Sequence, residues 1–406
     1  MLTLVYMSLT SWSVAVNELA DNFGLSTVTV QLGSSALIAG YAIGGFVQGR
    51  LLARFGWRRV FTWVILAFLL ASALIPVADN YALILILRFV QGWGCMVTVT
   101  SAIVSSWFPM RERGLALGVL LGTIGLGSAF GGYVAGLLNP VIGWQNTFWT
   151  ITAVTVVGAI GFYVLVRQAP PLAEESVQET NADSPSSLQA DPHSTESSSV
   201  YRQPALWILG VITLCCFFNV YGMYAYLAQY LFTLHYSSAA VGLAVFLNGF
   251  VAVVSTPVGG WISDRLVVRM GALRGRTFTN AWPALAVAAV GCTLLPHLAP
   301  LGLGFTIGVV IVAGWGGPAT NGPGLSLPSD LFGSAAAGPG VGLVLLIAGA
   351  GGIIAPIFVP LLAQATSWTV GWYVTAGAAV IGLLLNLVLG RQRARTASPA
   401  VTSAVS

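Results

Sequence analysis

Apolar runs recur along the whole chain, separated by short breaks that carry arginine, glycine, proline or a few acids. A hydrocarbon core of about 30 Å takes about 20 residues of helix to cross. The pattern therefore predicts twelve transmembrane helices, over 2–19, 32–52, 59–78, 81–105, 114–138, 146–166, 204–232, 239–262, 278–296, 301–325, 338–364 and 369–390. Composition agrees, since 56% of the 406 residues are hydrophobic and only 7% are charged, too few for a solvated globular surface. The expected fold class is an all-α membrane protein. The first run has neither a basic lead nor a small-residue cleavage site. It reads as a span whose start is open to slight truncation, not as a signal peptide.

Charge sets the orientation. Alternating the breaks between two sides places Arg50, Arg54, Arg58, Arg59, Arg111, Arg113, Arg167, Arg202, Arg265, Arg269, Arg274, Arg276, Arg391, Arg393 and Arg395 on one side. By the positive-inside rule that side is the cytoplasm, with both termini in it and the cell membrane as the location. The opposite breaks carry Glu18, Asp21 and Asp79, and the chain has no lysine. Arg88 alone escapes this sorting, because it lies inside the fourth span. Residues 168–203 turn to Glu, Ser, Asp, Pro, Gln and Thr, a composition unable to bury enough apolar surface to order itself. This segment reads as a disordered cytoplasmic linker between an N-terminal bundle, 1–167, and a C-terminal bundle, 204–390, with a cytoplasmic tail over 391–406.

The two sets of six spans repeat each other. The break Gly49-Arg50-Leu51-Leu52-Ala53-Arg54 answers Gly260-Trp261-Ile262-Ser263-Asp264-Arg265, and Pro109 precedes Gly131-Gly132 much as Pro328 precedes Gly351-Gly352. With Arg88-x-x-x-Gly92 in span four and the glycine run Gly118, Gly122, Gly125, Gly127, Gly131, Gly132 in span five, the chain resembles the major facilitator superfamily of secondary transporters. Trp107-Phe108-Pro109, Arg111-Glu112-Arg113-Gly114 and Gly143-Trp144 are similar to its organic-anion branch: anion:cation symporters, oxalate/formate and monocarboxylate porters. The resemblance implies two pseudo-symmetric six-helix bundles rocking about a midplane site. Such carriers commonly bind the carboxylate with further cationic side chains on spans eight or eleven, and this chain has none there.

Candidate chemistry concentrates in few residues. An arginine at mid-span costs about 2.5–3.5 kcal/mol on insertion scales, so it faces a polar cavity or is paired. Arg88, with Gln91 on the same helical face, reads as an anion ligand or coupling element, as a brace bonded to carbonyls, or as a side chain snorkelling outward. In span seven, Asn219, Tyr224 and Tyr226 are expected in the cavity, with Tyr230 closer to the interfacial belt. Trp12, Asn248, Trp315 and Asn321 are further substrate-binding candidates. A cytoplasmic gate is expected from Arg54, Arg58, Arg59, Glu112, Arg113, Asp264, Arg265 and Asp330, with Asp264 as the principal acid because Ala53 holds the matching place. Pro318, Pro323 and Pro328 suggest a hinge around span ten.

No nucleophile–base constellation or phosphate loop occurs, so no enzyme is expected. Cys95, Cys215, Cys216 and Cys292 lack metal-ligand spacing, and neither metal nor cofactor is expected. The leading function is secondary active transport of a small organic solute, a monocarboxylate or related anion, by a monomer in the lipid bilayer without nucleic-acid partners. Proton coupling and exchange with a counter-solute both stay open, because titratable residues such as Glu18 and His297 lie only near span ends. Alternatives are an efflux pump for hydrophobic or drug-like compounds and a non-transporting membrane sensor.

Overall fold

The computed structural model describes residues 1–107, 110–166, 203–332 and 334–392, without the side chains of 46, 50, 53, 102, 105, 106, 110–118, 325, 328–332, 334–342 and 392. The expected linker, apart from Gln203, and most of the expected tail lie outside the described residues, as do the side chains of Glu112, Arg113 and Asp330.

The described chain is helical throughout. In order the helices are α1 Leu2–Phe23, α2 Thr27–Leu74, α3 Tyr81–Trp93, α4 Val97–Trp107, α5 Met110–Leu165, α6 Pro204–Thr233, α7 Ser238–Met270, α8 Ala272–Thr279, a π-helical turn Asn280–Ala286, α9 Val287–Leu298, α10 Leu303–Ala319, α11 Asn321–Phe332, α12 Ser334–Ala365 and α13 Trp368–Gln392. Ten stretches are long and apolar enough to cross a membrane. One of them, Val119–Leu165, covers both the fifth and sixth expected spans, and α1 supplies the first.

Three glycines explain where long helices fold back. Gly56 (φ 74°, ψ 162°) bends α2, Gly143 (φ 78°, ψ 163°) bends α5 and Gly271 (φ 81°, ψ 161°) separates α7 from α8. Side chains are excluded from that backbone region. Gly56 and Gly271 occupy matching joints, after the second and eighth expected spans.

Packing follows small residues. On α5, Gly127 and Gly131 press on the backbone of α1 at Thr3 and Met7, while Gly125, Gly132 and Gly136 face α7. A Cβ on Gly125 would lie 2.7 Å from the Gly249 carbonyl. Two glycine stripes thus let one helix serve two neighbours, with van der Waals contact replacing the hydrophobic drive that lipid removes. The α5–α7 seam and the α2–α12 seam join the first six spans to the last six.

Candidate substrate path

At one end the two sets are closed by uncharged hydrogen bonds. Gln31 of α2 donates to the Ala225 carbonyl of α6 at 2.8 Å and to Gln229 Oε1 at 3.5 Å, and Ser34 donates to Gln31 Oε1 at 3.1 Å. Gln229 Nε2 reaches Thr27 Oγ1 at 2.6 Å, and Ser35 donates to the Ile353 carbonyl of α12 at 2.7 Å. Such amide contacts cost little to break and remake, unlike a buried ion pair.

On the arginine-bearing side of this lock lies a cavity of about 140 Å³ between the sets. Its wall combines apolar groups with Tyr41, Thr213, Cys216, Tyr221, Tyr224, Thr256, Asn280, Thr320 and Asn321, and includes no charged side chain among the described residues. The two sets are thus joined by hydrogen bonds at one end and leave the cavity between them on the arginine-bearing side.

Arg88 lies outside that wall, one short helix further toward the lock. Its Nε donates to the Gly33 carbonyl at 3.1 Å, and its Nη1 donates to the Ser8 carbonyl at 3.2 Å and to Gln91 Oε1 at 2.5 Å. Gln91 in turn donates to Ser72 Oγ at 2.7 Å. The guanidinium carbon sits 4.5 Å from the centre of the Trp12 ring, whose own N–H goes to the Val30 carbonyl at 3.3 Å. Arg88 is 1% exposed, and its Nη2 has no partner. Beside it is a void of about 20 Å³ whose lining mixes hydroxyls of Ser8, Ser11, Ser72, Thr152 and Thr155 with apolar side chains such as Phe68 and Phe148, about the room one water needs. No carboxylate pairs with Arg88 among the described residues. Its charge is therefore held by carbonyls, an amide and a ring face, arrangements that orient a cation without neutralising it.

The helix carrying Arg88 is not continuous. The expected fourth span, 81–105, is divided into α3 and α4 at Gly94. Gly92 lies against the Leu37 backbone, and Gln48 from α2 donates to the Trp93 and Cys95 carbonyls at 2.7 and 3.3 Å. A side chain from the neighbouring helix thereby meets acceptors that the break exposes.

The remaining sequence candidates divide. Tyr224 and Asn321 line the cavity. Asn219 instead donates to Cys292 Sγ at 3.3 Å, Tyr226 Oη pairs with Thr375 Oγ1 at 2.6 Å beneath Trp372, and Trp315 donates to the Pro283 carbonyl at 2.9 Å. Asn248 is buried beside Gly314, and Trp12 is committed to Arg88. On α6 the face that meets the cavity is the one bearing Thr213, Cys216, Phe217, Val220, Tyr221 and Tyr224, whereas Asn219 and Tyr226 face α9 and α13.

The expected gate charges also find local partners. Asp264 meets Arg276, across the Gly271 turn, at 3.5 Å, while Arg265 stacks 3.9 Å over Trp261. Asp264 thus staples its own set of spans, because the sharp turn returns α8 alongside the end of α7. Arg58 lies over Trp57 and Tyr163 and donates to the Val166 carbonyl at 3.4 Å, and Arg54 lies over Phe55. Arg59 is exposed.

Sequence comparison matches residues 1–338 to the family described as Major Facilitator Superfamily. Curated relatives include a probable sulfoacetate transporter of Cupriavidus necator, 25% identical over 279 residues, covering 67% of this chain and 64% of the relative. A probable galactarate/D-glucarate transporter of Escherichia coli is 26% identical over 283 residues, 64% of this chain and 63% of the relative. A hexuronate transporter of Bacillus subtilis is 26% identical over 179 residues, 44% of this chain and 42% of the relative. The matched stretch spans from under half to just under two thirds of these relatives' length. Among solved structures, a bacterial homologue of the human lysosomal transporter Spinster, inward-facing and unoccupied, superposes with a TM-score of 0.77 over 98% of this chain and 97% of the other at 16% identity. That likeness concerns the fold.

Proposed function

The chain belongs to the Major Facilitator Superfamily, and from that premise we propose that it is a secondary carrier that moves a small organic anion across the cell membrane by alternating access. The observation that carries this reading is Arg88: a buried guanidinium with no acid beside it among the described residues and with its Nη2 amino group unpartnered. It lies inside the first set of spans, with every hydrogen-bond partner and the adjoining void drawn from that set, and in this reading the rearrangement that opens the lock also opens a path to it. A solute carboxylate is then a better partner than the amide and carbonyls that hold the guanidinium in its absence. Relatives named for sulfoacetate, hexuronate and galactarate/D-glucarate transport support an anionic substrate.

In this reading the arginine-rich turns are cytoplasmic, both termini lie there, and Arg88 with Gln91 forms the central binding element. Protons or a counter-solute supply the coupling. The uncharged cavity wall favours a second reading, export of neutral or lipophilic compounds. The two separate in proteoliposomes. If the substrate is an anion, Arg88→Gln stops uptake of labelled organic monoanions while the variant stays monodisperse. If it is neutral, the same substitution leaves flux of an uncharged dye close to that of the wild type and no monoanion moves in either protein.

A further inference from the structure

Asn280 is a polar residue that the arginine site does not use. It opens the π-helical turn Asn280–Ala286 within the expected ninth span and forms part of the cavity wall. It is 1% exposed, and neither its Nδ2 nor its Oδ1 has a hydrogen-bond partner. A buried carboxamide in that condition is costly, and folded proteins retain such groups where something else satisfies them. A π-turn inserts a residue into the helix and is frequent at functional sites.

The neighbouring wall is irregular as well. The expected tenth span stops at Ala319 and resumes at Asn321, and both Thr320 in the joint and Asn321 line the cavity. One turn on, a methyl added to Gly324 would lie 4.0 Å from Asn280 Nδ2. Irregular backbone at membrane depth is tolerated where it lines a cavity or is buried in protein. Two interrupted spans therefore meet at one unsatisfied carboxamide.

From this juxtaposition we infer that Asn280 is a solute-binding residue, and that it recognises a neutral group presenting a donor and an acceptor side by side, as adjacent hydroxyls or an amide edge do. An ionised carboxylate only accepts, so it satisfies Nδ2 and leaves Oδ1 unpaired. An alkyl chain satisfies neither. The inference rests on the carrier reading for access to the cavity, and it adds a second feature to the substrate, a hydroxyl- or amide-bearing body met in the cavity, at a place apart from Arg88, which lies outside that wall.

Calorimetry on the full chain in detergent tests it with three probes: D-glucuronate, hexanoate, which has the same charge but no hydroxyls, and myo-inositol, which has adjacent hydroxyls but no charge. The wild type is expected to bind D-glucuronate at least about tenfold tighter than hexanoate, the worth of one or two net hydrogen bonds. Asn280→Leu and Asn280→Ala, each of which removes donor and acceptor together without adding a charge, bring that ratio to within about twofold. Because the carboxamide bonds to nothing in the fold, both variants keep the wild-type Tm. A preference that survives both substitutions overturns the inference. So does a wild type that favours neither hydroxylated probe over hexanoate, or a fall in Tm in both variants, which assigns Asn280 to packing. Failure of the anion reading looks different: Arg88→Gln then leaves D-glucuronate affinity unchanged, while Asn280→Leu still weakens D-glucuronate and myo-inositol.

Discussion

Gln31→Leu tests whether the uncharged lock holds the two sets of spans together. The substitution keeps the side chain's approximate volume and deletes the donor to the Ala225 carbonyl at 2.8 Å, the weaker contact to Gln229 at 3.5 Å and the acceptor for Ser34. A net intramolecular hydrogen bond contributes about 0.5–1.5 kcal/mol, and an acceptor left buried and unpaired costs about 1–3 kcal/mol. The two contacts that cross between the sets exist only while the lock is shut, so their loss raises the closed form relative to the open one. A shift of about 1–3 kcal/mol changes the population ratio about 5- to 150-fold, toward the form open at the lock. Spin labels at Asp21 and Ala365, exposed positions near the lock ends of α1 and α12, report the change by double electron–electron resonance, on a background with the four native cysteines replaced. The expected result is a longer-distance population that grows in Gln31→Leu and grows further when Gln229→Leu is added. An unchanged distance distribution in the double variant refutes the reasoning and moves the closing energy to the glycine seams.

Other substitutions probe separate parts of the account. Gly249→Val on α7 drives a side chain into the α5 backbone at Ala129, so overpacking of about 1–3 kcal/mol is expected, read as a lower Tm and loss of transport in proteoliposomes. Gly56→Ala places a side chain at φ 74°, ψ 162° and costs about 1–3 kcal/mol, while Gly49→Ala, with no atom within 4 Å of its new methyl, leaves Tm unchanged in the same thermal assay. Asp264→Asn removes a pair in which the acid is 76% exposed, so its stability cost is at most about 1 kcal/mol. Because that pair lies within one set of spans, the spin-label distances are expected to stay as in the wild type.

The helices were legible because lipid imposes one rule on the chain: apolar stretches of sufficient length, with backbone groups satisfied internally. Arg88 stood out for the same reason, since a charge inside such a stretch is expensive wherever it points. Direction was harder. Span seven offers Asn219, Tyr224 and Tyr226 alike as cavity residues, but which face of α6 meets the cavity depends on how α6 crosses α9 and α13, and no local pattern encodes a crossing angle. The lock escaped notice because Gln31 and Gln229 lie 198 positions apart and neither is unusual near the end of a span. Asn280 was hidden for a related reason. A lone asparagine in an apolar run reads as an ordinary helix residue until the π-turn and the broken span beside it are placed together. The division between α3 and α4 left a trace in Gly92 and Gly94, yet those glycines fit close packing equally well; the capping side chain, Gln48, comes from another helix.

The central claim, that this carrier holds an anion with Arg88, is tested most directly by counterflow. Proteoliposomes containing the full chain are loaded with an unlabelled organic monoanion such as D-glucuronate, and entry of the labelled compound is followed for the wild type, Arg88→Gln and Arg88→Lys. Losing a charge-assisted contact costs about 1.5–3 kcal/mol, so the account predicts transient accumulation in the wild type, an initial rate at least about tenfold lower in Arg88→Gln, and partial retention in Arg88→Lys. Counterflow of D-glucuronate by a well-folded Arg88→Gln at the wild-type rate would contradict it.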